Sequence, residues 1–197
     1  NIDAFETFRN TFGSEVGLMH DAALASYNYD EALAVGKSLE NAGFIWFEEP
    51  IDDRLHAQNK QLCDLLEIPI AGAETLMHDP AMGELWLRSG AVDVLRVHAR
   101  HGVTAVQRLS KIASELGANV EPNAYGPLFG LVHAHVSCGI ENIDWFETAP
   151  PANGATMFLK TGDQCQQSIR KSNQSIRRSL FIVFDIQHHK DGSMTCI

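Results

Sequence analysis

The chain has 197 residues, 45% of them apolar, a formal net charge of −10 and a pI near 5.3. This composition is typical of a globular domain with a sizeable core, and the acidity argues against a nucleic-acid-binding surface. The sequence has no signal peptide and no apolar run that could span a membrane, and its four cysteines form no CxxC pair, so we expect reduced thiols, a cytoplasmic location and no membrane partner.

Six short apolar runs that end in polar residues predict six strands. In chain order they are Gly17–Asp21, Phe44–Pro50, Ile68–Glu74, Val92–His98, Ala118–Asn123 and Ile143–Glu147. Apolar residues that recur at three and four predict helices over Ile2–Gly13, Asn28–Glu40, Asp52–Leu66, Pro80–Ser89, Val103–Leu116 and Pro127–Cys138. Alternating strands and helices predict an α/β fold in which the polar residues share the rim at the carboxyl ends of parallel strands.

The stretch Phe44–Pro50 carries two adjacent carboxylates, Glu48 and Glu49, at the end of its apolar run. Neighbouring carboxylates at a buried strand end need a cation or hydrogen bonds to stay ionised, and a divalent metal would supply the cation. Asp21 and Glu74 end the preceding and following runs, 27 residues before and 26 residues after Glu48. The spacing therefore predicts three acids in phase on one rim.

The sequence changes character after Pro150 and Pro151. Residues 151–197 contain no further βα unit, and the one strand predicted there is Leu180–Phe184. We therefore predict a barrel domain over residues 1–150 and an atypical tail over residues 151–197. The composition of the tail indicates a linker, a disordered segment or a segment foreign to the barrel.

The three acids in phase, with the phrases FEEP, AGAET and NIDWFE, resemble the mandelate racemase and muconate lactonizing enzyme group of the enolase superfamily. The resemblance implies a partial TIM-type (β/α) barrel over residues 1–150, corresponding to the third to eighth strands of the family. It also implies one Mg²⁺ bound by Asp21, Glu48 and Glu74, with Glu49 supporting the ligands. The implied chemistry is removal of the proton α to a carboxylate, with the metal stabilising the enediolate that forms.

Of three further rim positions, one matches the residue found in the racemase-like subgroup of the family and two differ from it. Glu147 matches the acid that hydrogen-bonds the substrate carboxylate in that subgroup. Asn123 stands where the subgroup has a histidine base, and an amide cannot abstract a proton. His98 falls where the subgroup has an aspartate, so it is either a candidate base or a hydrogen-bonded histidine at a strand end.

Two arginines and four other histidines flank these positions. Arg96 and Arg100 are candidates for binding a substrate carboxylate, and pairing with Asp93 or exposure to solvent are the alternatives. The remaining histidines of the rim region are predicted to pack or to lie on the surface; they are His20, His101, His133 and His135.

The function implied by the resemblance is that of an Mg²⁺-dependent dehydratase acting on an acid sugar, in a homo-oligomeric parent protein. The alternatives are a racemase, epimerase or cycloisomerase of the same superfamily, and a non-catalytic barrel remnant, which Asn123 favours. The capping domain, two strands and a lysine base of the family would precede Asn1, so we expect a fragment.

The isolated chain is expected to have unpaired strand edges. Six strands leave open edges at Met19 and at Phe146, and the tail strand would cover one of them only loosely. We therefore expect the isolated chain to bind Mg²⁺ weakly, to aggregate and to lack turnover.

Overall fold

The computed structural model describes residues 2–23, 27–123, 127–145, 147, 182–188 and 194–196. The elements in chain order are α1 (Ile2–Phe12), β1 (Leu18–Asp21), α2 (Tyr29–Asn41), β2 (Phe47–Glu48), α3 (His56–Leu65), β3 (Ile70–Gly72), α4 (Pro80–Ser89), β4 (Val94–Val97), α5 (Val103–Leu116), β5 (Asn119–Pro122), α6 (Pro127–Gly139), β6 (Ile182–His188) and β7 (Met194–Cys196). Short 3₁₀ turns lie at Glu74–Leu76 and Ala99–His101.

The chain divides into two compact units. The first contains residues 1–73, 86–94 and 179–197, and the second contains residues 74–85 and 95–178. In the first unit the strands follow the order β3, β2, β1, β6, β7, and β1 and β2 are parallel, as are β2 and β3. In the second unit β5 lies beside β4. Both units thus combine helices with strands, as an α/β fold requires.

The second strand is shorter than the apolar run that predicts it. The Phe44 N–H still binds the Leu39 carbonyl of α2 at 3.0 Å, but the Ile45 N–H already donates to the Leu18 carbonyl of β1 at 2.8 Å, and the Trp46 carbonyl accepts the His20 N–H at 3.2 Å. At the other end, Pro50 has no N–H to offer the ladder. The regular strand covers Phe47 and Glu48, and backbone bonds to the neighbouring strands extend from Ile45 to Glu49.

The tail strand pairs in register with the sheet of the first unit, contrary to our expectation. β6 is parallel to β1, and Asp185 is the Cα partner of Asp21. β7 then runs antiparallel to β6. The predicted open edge at Met19 is therefore wrong. Sequence pattern could not indicate this, because strand pairing uses backbone groups that every residue but proline offers.

The predicted strand at Ile143–Glu147 is absent from the described part of that segment. The N–H groups of Asp144 and Trp145 donate instead to the two carboxylate oxygens of Glu121 in β5, at 3.0 and 2.9 Å. A side chain therefore takes the hydrogen bonds that a neighbouring strand would otherwise supply. The predicted open edge at Phe146 lies outside the described residues.

Local signals set the ends of two helices. Before α2, the Asn28 side chain accepts the Glu31 N–H at 3.0 Å, and the Glu31 carboxylate accepts the Asn28 N–H at 2.9 Å. This reciprocal capping satisfies two N–H groups that the helix itself cannot. After α5, Gly117 adopts φ +75°, a left-handed conformation that glycine adopts without strain.

One hydrophobic core fills the first unit. It joins α1, α2 and α3 to β1, β2 and β3 through buried side chains that include Phe5, Leu39, Phe47, Leu62 and Ile70. Close packing of this kind leaves strands little freedom to shift. The core therefore fixes the polar residues at the carboxyl ends of these strands.

Two observations bear on the predicted compartment. Cys138, near the end of α6, is disulfide-bonded, so the expectation of four reduced thiols is wrong. Spacing along the sequence could not indicate the bond, because a disulfide depends on proximity in space. None of the helices in the described residues is long and apolar enough to cross a membrane.

Arg9 fastens α1 to the segment that follows α2. Its guanidinium donates to the carbonyls of Ala42 and Gly43 after α2, and to those of Gly13 and Val16 before β1, at 2.7 to 2.8 Å. A hydrogen bond from a charged group contributes about 1.5–3 kcal/mol to stability. The carbonyls that lose the guanidinium can bind water instead, which recovers part of this energy. We therefore expect Arg9→Met to lower the free energy of unfolding by about 2–3 kcal/mol.

Arg54→Met is the matched control for Arg9→Met. Arg54 is an exposed arginine that pairs with Asp52, and a solvent-exposed pair of this kind is expected to add little to stability. Urea denaturation of the wild type and the two variants measures the difference. Equal losses in the two variants would contradict the structural role of Arg9.

Candidate active site

Two of the three predicted metal ligands lie side by side in the first unit. Asp21 and Glu48 end adjacent parallel strands and are Cα partners across the ladder. Neighbouring strands lie about 4.8 Å apart, so two Cα partners place their side chains next to each other on one face of the sheet. Trp46 Nε1–H donates to Glu48 Oε2 at 3.2 Å, and Asp21 Oδ1 accepts the Ala23 N–H at 2.7 Å. Oriented carboxylates of this kind fit a hard cation such as Mg²⁺.

Backbone strain marks the same strand ends. Ala23, Glu49 and Ala73 adopt φ values of +46°, +45° and +63°, although none of them is glycine. Each follows β1, β2 or β3 within two residues. Such conformations cost about 1–3 kcal/mol each and cluster at functional sites. The strain therefore points to these strand ends independently of the carboxylates.

Glu74, the third predicted ligand, begins a 3₁₀ turn in the second unit. Within the described residues, no three or more His, Cys, Asp or Glu side chains gather into a metal site. The fit to a cation therefore rests on the Asp21 and Glu48 pair, and the role of Glu74 stays a prediction. Glu49, predicted to support the ligands, is buried, and its N–H donates to the Ala71 carbonyl at 2.9 Å.

His98 follows β4 in the second unit and is buried against His133 of α6. The two ring centroids are 4.6 Å apart. His98 Nδ1 accepts the Arg100 N–H, and His133 Nε2 accepts the Ala99 N–H, both at 2.9 Å. Burial lowers the pKa of His98 to about 4, and burial also lowers the pKa of His133. Both rings are therefore neutral near pH 7.

The tautomer of His98 limits its chemistry. A neutral ring whose Nδ1 accepts a hydrogen bond carries its proton on Nε2. A base must present an unprotonated nitrogen, so His98 can abstract a proton only after the bond to the Arg100 N–H has broken. The hydrogen-bonded strand end, the alternative that the sequence left open, is present in the structure, and the role as a base stays a prediction.

Arg96 and Glu147, both predicted to bind the substrate carboxylate, form an ion pair with each other. The Arg96 side chain, in β4, is 2% exposed, whereas that of Glu147 is 38% exposed. Exposure to solvent is therefore the wrong alternative for Arg96, while Arg100 is exposed. Asn123 is buried after β5, and its N–H donates to the Val97 carbonyl at 2.9 Å. The second unit thus brings together Arg96 with Glu147, and Asn123 with the end of β4.

The four histidines predicted to pack or to lie on the surface do so. The buried ones are His20 and His133, and the exposed ones are His101 and His135. His20 Nε2 lies 3.1 Å from the Tyr27 hydroxyl, and its ring stacks on Phe47. These contacts identify His20 as a packing residue.

Sequence reasoning missed Glu121, which is 1% exposed and holds the segment that leads to Glu147. Burial raises the pKa of this carboxyl to about 8. The available signal was an acid flanked by Val120 and Pro122 inside a predicted strand, because a charge at such a position requires partners. Trp46 was also missed as a partner of Glu48, although it lies two residues away, the spacing that shares one side of an extended chain.

The chain is similar in sequence to a known protein family and to a characterised enzyme. A family model described as Enolase C-terminal domain-like matches residues 1–169. The chain is 29% identical over 150 residues to arabinonate dehydratase of Saccharolobus solfataricus, covering 75% of this chain and 39% of the relative.

Two solved structures are similar to the chain. D-glucarate dehydratase from Agrobacterium tumefaciens complexed with magnesium has a TM-score of 0.66 and 29% identity, covering 77% of this chain and 38% of that one. The mandelate racemase/muconate lactonizing enzyme from Sulfitobacter sp. has a TM-score of 0.71 and 21% identity, covering 79% and 39%, and shares the fold. The chain thus spans less than two fifths of the length of each of these three relatives.

Proposed function

Because the chain belongs to the enolase C-terminal domain-like family, we propose that it carries the metal-binding part of the active site of an acid-sugar dehydratase. Its resemblance to the mandelate racemase and muconate lactonizing enzyme group is confirmed, as is the barrel-type α/β fold. A dehydratase removes the proton α to the substrate carboxylate and releases the β-hydroxyl as water. Two relatives named as dehydratases of sugar acids support this choice of reaction.

The pairing of Asp21 with Glu48 across parallel strand ends is the observation that carries the proposal. We assign Mg²⁺ to these two carboxylates, with Glu49 supporting the ligands, and the assignment of Glu74 as the third ligand rests on the resemblance alone. When bound, the ion supplies the positive charge that stabilises the anion formed by loss of the α-proton. The magnesium in the related D-glucarate dehydratase structure supports the choice of metal.

The second unit supplies the proposed substrate contacts. We assign Arg96, Arg100 and Glu147 to the substrate carboxylate and Asn123 to a hydrogen bond with the substrate. Arg96 already pairs with Glu147, so a substrate carboxylate would share its guanidinium, which offers five N–H donors. His98 serves as the base only if its bond to the Arg100 N–H opens.

The second candidate function is that of a barrel remnant that binds a metal or a carboxylate without turnover. Asn123 cannot abstract a proton, and the Nδ1 of His98 is engaged by the backbone. These two observations favour the remnant over catalysis by the second unit alone. A racemase, epimerase or cycloisomerase is the third candidate, since it begins with the same proton removal.

Proton NMR in D₂O separates these functions. Arabinonate, D-glucarate and galactarate are incubated with Mg²⁺ and the longest form of the protein that can be produced. We expect loss of water from one of them, abolished by EDTA and by Glu48→Gln. Deuterium incorporation at the α-carbon without water loss would assign a racemase or epimerase, and an unchanged substrate would assign the remnant.

The setting of this activity is also a proposal. We propose a homo-oligomer that acts on a small-molecule carboxylate and has no nucleic-acid partner, on the strength of the resemblance and the charge of −10. A cytoplasmic location is proposed on the resemblance alone, and the disulfide of Cys138 argues against it. A boundary near residue 150, with a separate tail over residues 151–197, is proposed on the change in composition.

A further inference from the structure

Two exposed histidines of the second unit, His78 and His101, lie close enough to share a metal ion. His78 Nδ1 and His101 Nε2 are 3.4 Å apart. The ring centroids are 5.6 Å apart, and the ring planes meet at 72°. His78 follows the 3₁₀ turn at Glu74–Leu76, whereas His101 ends the 3₁₀ turn at Ala99–His101. Two separate segments of the chain therefore meet at this pair.

The separation of the two nitrogens matches that of ligands on one ion. Zn²⁺ binds imidazole nitrogen at about 2.0–2.1 Å in a tetrahedral arrangement, which places two such nitrogens about 3.3–3.4 Å apart. Hydrogen bonds from N–H donors centre near about 2.9–3.0 Å, so 3.4 Å is long for a direct bond between the rings. The pair therefore forms a long hydrogen bond, and the same separation of the two nitrogens also fits a shared ion.

We propose that His78 and His101 form a two-histidine site for a divalent transition-metal ion of the Zn²⁺ class, with water completing the coordination. Imidazole suits Zn²⁺, Ni²⁺ and Cu²⁺, whereas Mg²⁺ prefers oxygen ligands. The site therefore differs in chemistry from the carboxylate pair of the first unit. Both rings are exposed, so an ion reaches them without any opening of the fold.

Occupation of this site would have a local structural consequence. An ion bound to both rings would tie together the two 3₁₀ turns, one of which begins at Glu74. Glu74 is the proposed third Mg²⁺ ligand, so a transition metal bound to the two histidines would restrain the turn that carries Glu74. This consequence rests on the proposed function, whereas the two-histidine site does not.

Calorimetric titration with ZnCl₂ in excess Mg²⁺ tests the site. Wild type, His78→Ala, His101→Ala and the control His135→Ala are compared; His135 is an exposed histidine of α6. We expect one Zn²⁺ per wild-type chain and affinity at least about tenfold weaker in either pair variant, because even an outer-shell partner contributes about 10–100-fold. The control should match the wild type.

Two further variants separate this site from the others. Glu48→Gln should keep the Zn²⁺ affinity of the wild type, so that failure of the Mg²⁺ proposal leaves the zinc result intact. Cys63→Ser should also keep it, which excludes the free thiol of Cys63 as the ligand. Wild-type affinity in both pair variants, or no Zn²⁺ binding by the wild type, would overturn the proposal and leave only a hydrogen bond between the rings.

Discussion

Between pH 4.5 and about pH 8 we expect the free energy of unfolding of the wild type to fall by about 3–5 kcal/mol through ionisation of Glu121. The variant Glu121→Gln should not show this fall. Glu121 is a fully buried carboxyl of β5 whose two oxygens accept the N–H groups of Asp144 and Trp145. Burial raises its pKa to about 8, and the charge of Asp144 acts in the same direction. Glutamine does not titrate, so the variant lacks this pH dependence.

The sign follows from proton binding in the two states. The unfolded chain releases the Glu121 proton near the ordinary pKa of 4.5, whereas the folded protein keeps it until about pH 8. Between these values the folded state binds more protons, so raising the pH favours unfolding. The stabilising contribution is therefore complete below pH 4.5 and is lost as the pH rises through 8.

At low pH, Glu121→Gln should be less stable than the wild type. Near pH 5 we expect Glu121→Gln to cost about 1–3 kcal/mol, because the amide NH₂ cannot accept a backbone N–H, whereas the hydroxyl oxygen of the protonated carboxyl can. The gap between wild type and variant should shrink as the pH rises and reverse near pH 8. Buried histidines such as His98 titrate in both proteins, so they cancel in the difference.

Urea denaturation at several pH values between 5 and 8 measures this gap. Glu115→Gln, which replaces an exposed glutamate of α5, is the control and should stay parallel to the wild type. A gap between wild type and Glu121→Gln that widens with pH would contradict the account. It would mean that the two N–H groups and Arg96, which lower the pKa of Glu121, outweigh its burial.

The helices show how far local signals reach. The sequence predicts α4 at Pro80–Ser89 and α5 at Val103–Leu116, and the structure has the same bounds. Both depend on apolar spacing and on residues beside the helix ends, such as Gly117, which are all present in a short window. Such helices could be predicted because their bounds depend on residues close together in the sequence.

The strands show where local signals fail. Whether a run pairs depends on a partner elsewhere in the chain, so the sequence alone could not place β6 beside β1. For the same reason it could not show that Glu121 would take the backbone N–H groups of Asp144 and Trp145. An apolar run predicts burial, and burial alone does not choose the partner.

The candidate site divides in the same way. The in-phase acids predicted that Asp21 and Glu48 would meet, because register in a parallel sheet follows from the repeat. The tautomer of His98 and the ion pair of Arg96 with Glu147 depend on side-chain geometry, which the spacing does not contain. The residue types were therefore predictable, and their hydrogen-bond roles were not.

Loss of Mg²⁺ affinity on substitution of the strand-end carboxylates is the second large expected effect. Asp21 and Glu48 supply negative charge and oxygen ligands at paired positions. Asp21→Asn and Glu48→Gln keep the size of each side chain and remove its charge, so each should weaken Mg²⁺ binding at least about tenfold. Glu74→Gln should do the same if Glu74 is the third ligand.

Trp46→Phe refines this test. It removes the indole N–H that holds Glu48 Oε2 and keeps an aromatic ring at that position. Outer-shell partners contribute about 10–100-fold to metal affinity, so Trp46→Phe should weaken Mg²⁺ binding while leaving both carboxylates in place. Unchanged affinity would show that Glu48 needs no orientation by Trp46.

The most direct measurement of the central claim is calorimetric titration of Mg²⁺ into wild type, Glu48→Gln and Glu115→Gln. The account predicts weak but measurable binding of one Mg²⁺ by the wild type and by Glu115→Gln, and at least about tenfold weaker binding by Glu48→Gln. Equal Mg²⁺ affinity in all three proteins would contradict a metal site at the carboxyl ends of β1 and β2.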